Sequence, residues 1–261
     1  MSQLKAGSEQ RVGESLTWLE IDQGALERNL EKIKMLTLPT AEILAVIKAN
    51  AYGHGLPQVA NILAKKVAYF GVASIEEAVK LRQNGIEIPI LLFGIHFEPQ
   101  IEKAIEFNIT LSISSLEQAK MIHHVSEEIR KPALIHIKID TGMGRLGIPL
   151  RIAKETVIQI ASMKSLQLEG IYTHFPVAEC QDDKTTAKQI QEFGRLISVL
   201  SDKGISFAYR HTANSAGIFF HRDSHFNMVR PGLALYGIYP DPEIKSLIDL
   251  ELVLSWRTRV I

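Results

Sequence analysis

The sequence predicts an α/β protein, a (β/α)8 barrel of the TIM type followed by the beginning of a mainly β domain. Three observations lead there. The chain has 261 residues, close to the ~250 of one such barrel. Eight short apolar runs rich in Val, Ile and Leu alternate with amphipathic stretches, the pattern of repeated β-α units. No G-x-G-x-x-G follows the first run, which argues against a doubly wound dinucleotide sheet.

Taken in order, the strand-like LTWLEID at 16–22 precedes the count and is assigned to the β domain. Asp22 then caps a helix whose Leu26, Leu30 and Ile33 fall on one face. The barrel runs are EILAVIKA, AYFGVAS, PILLFG, ITLSIS, LIHIKID, LEGIYTHF, FAYRHTAN and MVRPGLALYG. Each is nearly continuously apolar, as strands covered on both faces are. Ser74 and Ser115 cap the helices carrying Ala78 and Leu81, and Ala119 and Ile122. Asn84-Gly85 and Lys203-Gly204 end helices ahead of the next strand. Pro240-Asp241-Pro242 breaks the pattern, so the barrel is assigned to 16–240 and the start of the β domain to 250–261, LELVLSWRTRVI beginning at Leu250.

Lys plus Arg and Asp plus Glu both number 29, for a formal charge of zero; no general field gathers polyanions, and nucleic acid is not expected as a partner. Cys180 is the only cysteine, which excludes an internal disulfide framework and a multi-thiolate zinc site and fits a reducing cytoplasm. The first fifteen residues are polar, without the apolar stretch of a secretory signal. No segment approaches the roughly 20 apolar residues of a membrane span, so a soluble, cytoplasmic protein is expected.

Lys48 lies in AVIKANAYGHG, at the end of an apolar strand and before a glycine-rich turn. Its amine is delivered to the mouth of the barrel, where sites in this fold lie. Partial desolvation beside Val46, Ile47 and Ala49 is expected to lower its pKa and favour attack on a carbonyl; the alternative is a lysine snorkelling into solvent. Gly53 and Gly55 permit a tight backbone path, and His54 is either a loop residue or a ligand. In HIKIDTGMGRLG a flexible TGMG lets Arg145 reach over the mouth, although alone it reads as a surface or ion-pairing residue. Lys138 is an inward-pointing cation on the preceding strand. His174, in YTHF, is either a satisfied core histidine or an imidazole lying against a ring. In HTANSAG, Ser215 can grip phosphate or act as a helix cap. His123 and His124 read as solvent-facing.

The AVIKANAYGHG string resembles the pyridoxal-phosphate motif of alanine racemases, of fold type III, and HIKIDTGMGRLG, YTHF, HTANSAG and MVRPGLALYG match that family in the same order. The resemblance implies pyridoxal 5'-phosphate bound covalently at Lys48, which also serves as one of two catalytic bases. It gives Tyr52, Ser215, Gly232 and Leu233 contacts to the phosphate, with Asn214 supporting the loop. It puts His174 against the cofactor ring and Arg230 on the pyridine nitrogen. An arginine with a pKa above 12 would leave that nitrogen unprotonated and favour racemisation over transamination. Arg145 is assigned to the cofactor's phenolic oxygen and the substrate carboxylate, and Lys138 to a carbamylation site whose anion holds Arg145. The implied reaction interconverts L- and D-alanine and supplies D-alanine for peptidoglycan. In the family the second base is a tyrosine from the C-terminal β domain of the partner in a homodimer. That tyrosine lies beyond Ile261, so this chain alone is expected to bind cofactor weakly and racemise poorly. A non-catalytic pyridoxal-phosphate homeostasis protein and a racemase of another amino acid are the alternatives.

Overall fold

The computed structural model describes residues 15–94, 97–182 and 184–260. Ten strands organise it: β1 Thr17–Ile21, β2 Glu42–Val46, β3 Tyr69–Val72, β4 Ile90–Leu92, β5 Thr110–Ile113, β6 Ala133–Asp140, β7 Leu166–Tyr172, β8 Tyr209–His211, β9 Met228–Val229 and β10 Leu254–Thr258, with a two-residue bridge, Ile148–Pro149, on the end of β6. Strands β2 to β9 are parallel and pair in chain order; β5 joins β6 and β9 returns to β2, closing the ring. All eight apolar runs supply these strands.

Side chains alternate across each strand, and the two faces differ. Ile43, Ala45, Phe70, Val72, Ile135 and Ile137 point outward into one large apolar cluster shared with the surrounding helices. Those helices are α1 Gln23–Leu36, α2 Leu56–Leu63, α3 Ile75–Gln83, α4 Glu98–Glu106, α5 Leu116–Glu128, α6 Leu150–Ala161, α7 Thr185–Ser201 and the short α8 Ser215–Phe220. Asp22, Ser74 and Ser115 cap α1, α3 and α5 by accepting from Ala25, Glu77 and Gln118 amides. On the inner face Leu44, Tyr69, Leu91 and Met228 form a small separate cluster, and polar residues fill the rest. Gly170 is required where β7 passes His136, because a Cβ there would meet the imidazole at 2.5 Å.

β1 stands outside the ring and pairs antiparallel with β10, from Thr17↔Thr258 to Ile21↔Leu254. Asn29 of α1 fastens the segment leading into β10: its amide donates to Leu235 O and Glu251 O and accepts from the Glu251 N–H.

Candidate active site

At the carboxyl ends of the barrel strands lies a cavity of about 510 Å³. Lys48, Tyr52, Lys138, Arg145, His174, Asn214, Ser215, Arg230, Gly232 and Leu233 all line it, so the residues that the family resemblance assigned to the site come to one place, whereas His54 does not line it. Four are cations, whereas Glu179 is the one carboxylate lining it among the described residues. A chain of zero net charge thus concentrates positive charge where an anion would bind.

Lys48 follows β2 and begins an unusual turn. Ala49, Asn50, Ala51 and Tyr52 have φ of 53°, 54°, 55° and 52°, a full turn of left-handed helix built without glycine. Each such residue costs roughly 1–2 kcal/mol, so surrounding contacts must hold it. The Ala51 amide donates to Ile47 O and the Gly53 amide to Ala49 O. Glu77 of α3 accepts from the amides of Asn50 and Ala73, and the Asn50 side chain accepts from Leu56, at the start of α2. Lys48 is half-buried, and its amine takes no hydrogen-bond partner among the described residues. Tyr52 carries its hydroxyl to Gly232, where a Cβ would stand 2.8 Å from that oxygen and would have to displace it.

Ser215 opens α8, but the cap of that helix is its neighbour: Asn214 Oδ1 accepts from the Gly217 amide. The Ser215 hydroxyl is free of that duty and accepts from the Gly232 amide at 3.0 Å and, more weakly, from Ala234. One corner of the cavity therefore gathers two hydroxyls, Tyr52 and Ser215, beside the Gly232 amide.

Arg230, 4% exposed, follows β9 and points across the interior. Its guanidinium donates to Thr173 O, Thr212 O, His211 Nδ1 and His174 Nδ1. Arginine offers no acceptor, so both imidazoles carry their proton on Nε2. His211 then donates to His136 Nδ1 at 2.8 Å, and His136 Nε2 faces Glu169 at 3.5 Å, a charge–dipole contact rather than a formed bond. Burial brings the guanidinium down to about 10, below the value above 12 assumed from its residue type, yet still charged near neutral pH. Burial, then Arg230, Lys138, Arg145 and Lys48, depress His174 to about 3, so its ring is neutral. Lys138, 6% exposed, is brought down to about 8 by burial first and then by Arg145 and Arg230.

The sequence missed Tyr172, whose hydroxyl meets Ser112 while its ring stacks on His211 at 4.7 Å and lies under Lys138 and Arg230. Two-residue spacing from His174 was the available signal. The His211–His136–Glu169 line was missed too, although His136 and Lys138 at i and i+2 of an apolar strand share one face. Phe93 and Glu179 on the cavity wall carried no such signal. One expectation is corrected: His123 is not solvent-facing but half-buried, bonded through Nδ1 to Ser165, because α5 packs that face against the loop before β7. His124 is exposed and pairs with Glu128.

A closed parallel ring with its polar cavity at the strand ends puts the molecule in the class of (β/α)8-barrel proteins that hold ligands at that mouth. Residues 21–240 match the family described as alanine racemase, N-terminal domain, and the chain belongs to the alanine racemase family. It is 42% identical over 246 residues to an alanine racemase of Methanococcus maripaludis, covering 93% of this chain and 66% of that protein. It is 39% identical to alanine racemase 1 of Caldanaerobacter subterraneus, 94% of this chain and 64% of that one. Among solved structures, alanine racemase of Clostridium difficile 630 in complex with cycloserine superposes with a TM-score of 0.91 at 36% identity, over 94% of this chain and 68% of that one. The chain thus spans just under two thirds of the length of these curated relatives.

Proposed function

We propose that this chain carries the pyridoxal-phosphate-binding half of an alanine racemase that interconverts L- and D-alanine. The supporting observation is the cavity itself: a primary amine without a partner, four cations, and a corner of hydroxyl and amide donors that glycine keeps open. That donor set fits a phosphate, and the amine fits an aldehyde. When bound, the cofactor supplies a carbonyl for imine formation with the amino acid and a π-system that takes up charge from its α-carbon.

In this reading Tyr52 Oη, Ser215 Oγ and the amides of Gly232 and Leu233 hold the phosphate, with Asn214 keeping the Ser215 turn in shape. His174, neutral, lies against the cofactor ring. Arg230 keeps its own proton and donates a hydrogen bond to the ring nitrogen, so that nitrogen stays unprotonated. Arg145 orients the substrate carboxylate. Lys48 Nζ takes and returns the α-proton on the face it meets; the other face belongs to a tyrosine of the partner protomer in the family's homodimer. Lys138 carries an amine partly unprotonated at neutral pH. Addition of that nitrogen to carbon dioxide, with loss of a proton, forms a carbamate whose negative charge holds Arg145. The protein works in the cytoplasm and feeds D-alanine to peptidoglycan.

The test is borohydride reduction of the chain mixed with pyridoxal phosphate, followed by peptide mass spectrometry and a chiral assay of alanine. Phosphopyridoxyl label should concentrate on Lys48, and Lys48→Ala should lose both the label and the imine absorbance. Label spread evenly over surface lysines would remove the cofactor reading. Faster turnover of another amino acid would keep the site and change the substrate.

A further inference from the structure

We infer that His54 is a positioning residue, the lock that keeps the left-handed turn wound so that Lys48 and Tyr52 enter the cavity together; the cavity's role rests on the function proposed above. His54 is 6% exposed and does not line the cavity, so it acts only through the turn. Its Nδ1 stands 3.0 Å from Ala51 O and 3.1 Å from Tyr52 O. Carbonyls only accept, so Nδ1 carries the proton and one N–H bridges the last two carbonyls of the turn.

The ring is clamped as well. It lies 4.4 Å from the ring of Tyr236, at 32°, and Tyr236 in turn meets Tyr52 at 5.1 Å. The Tyr236 hydroxyl donates to Val46 O, two residues before Lys48. His54 thereby joins the far end of the turn, through one aromatic neighbour, to the strand that launches it. Its Nε2 is buried without a partner. A second proton there would have no acceptor, so the environment selects the single tautomer that serves the turn.

The two nitrogens can be told apart with amides. The Asn amide nitrogen reaches the place of Nδ1, and the Gln amide nitrogen reaches that of Nε2. His54→Asn should therefore keep the lock, whereas His54→Gln and His54→Phe should open it, the last while preserving the stack on Tyr236. The first readout is amide hydrogen exchange at Gly53 and Gly55, whose N–H groups bond within the turn and need no cofactor. Exchange should quicken about tenfold in the Phe and Gln variants, the worth of one lost hydrogen bond, and stay within about threefold in Asn. The second is the rate of borohydride-trapped labelling of Lys48 by pyridoxal phosphate, which should follow the same order. Wild-type exchange rates in the Phe variant overturn the lock, as does Gln protecting as well as Asn. Should the Phe variant not fold, the Asn and Gln pair decides alone. A wild-type chain that is not labelled at Lys48 counts against the function proposed above, and the exchange data still judge His54.

Discussion

Ala49 is the residue whose backbone conflicts most plainly with its identity. It is exposed and sits at φ 53°, ψ 53°, where an L-residue with a Cβ is disfavoured by roughly 1–2 kcal/mol. Glycine escapes that penalty at an entropic cost of about 0.5–1 kcal/mol. Ala49→Gly should therefore stabilise the chain by about 0.5–1 kcal/mol in urea unfolding, against the usual destabilisation of Ala→Gly in helices; a loss of that size would show that the turn is not strained here. Gly232 makes the opposite case. Its added Cβ would push on the Tyr52 hydroxyl at 2.8 Å, so Gly232→Ala should weaken pyridoxal-phosphate binding about tenfold or more in an absorbance titration. Unchanged affinity would remove Tyr52 from the phosphate corner. Strand-end position alone pointed to Lys48 and Ser215 with bland alternatives still open; Tyr52, Asn214, Arg230, Gly232 and Leu233 were legible only through the resemblance of their motifs to the alanine racemase family. The left-handed turn was not, since Ala-Asn-Ala-Tyr carries no glycine at the four residues that need it, and the compensating contacts come from Glu77, His54 and Tyr236, distant in kind or in sequence.

At the scale of elements, strand and helix order followed from hydrophobic runs because parallel strands are buried on both faces. Helix starts followed because serine and aspartate side chains replace missing intrahelical acceptors. Ser115→Ala should cost about 1 kcal/mol through the lost bond to the Gln118 amide, measurable as a lower urea midpoint at constant slope; no change would mean that water caps α5 as well. What the runs concealed was which face each polar residue takes. His136 and Glu169 look like interruptions of apolar strands, yet both turn inward and build the line beneath Arg230. Period-two reading of β6 resolves His136. Glu169 needed the tertiary structure, since β6 and β7 slip register between Ile135 and His136.

For the whole molecule, the buried imidazoles make acid destabilising. His211 and His136, both fully buried, and His174 are all depressed from 6.5 by desolvation first, His174 to about 3. The unfolded chain takes up these protons near 6.5 while the folded chain does not. Stability is therefore full above pH 6.5 and falls below it; for His174 the fall runs toward pH 3 at about 1.4 kcal/mol per pH unit, and His211 and His136 add to it in the same direction. Urea denaturation at pH 7.5 and 5.5 measures it directly, and a flat profile would mean that these rings titrate in place.

The ribbon of β1 and β10 joins residues 17–21 to residues 254–258. A ribosome extrudes Thr17 at the outset and must translate some 240 further codons before Thr258 emerges to meet it. Leu19, 52% exposed even when paired, waits with its strand edge open until residues 254–258 arrive. This antiparallel pair can therefore form only after every strand of the barrel between its two partners has been translated.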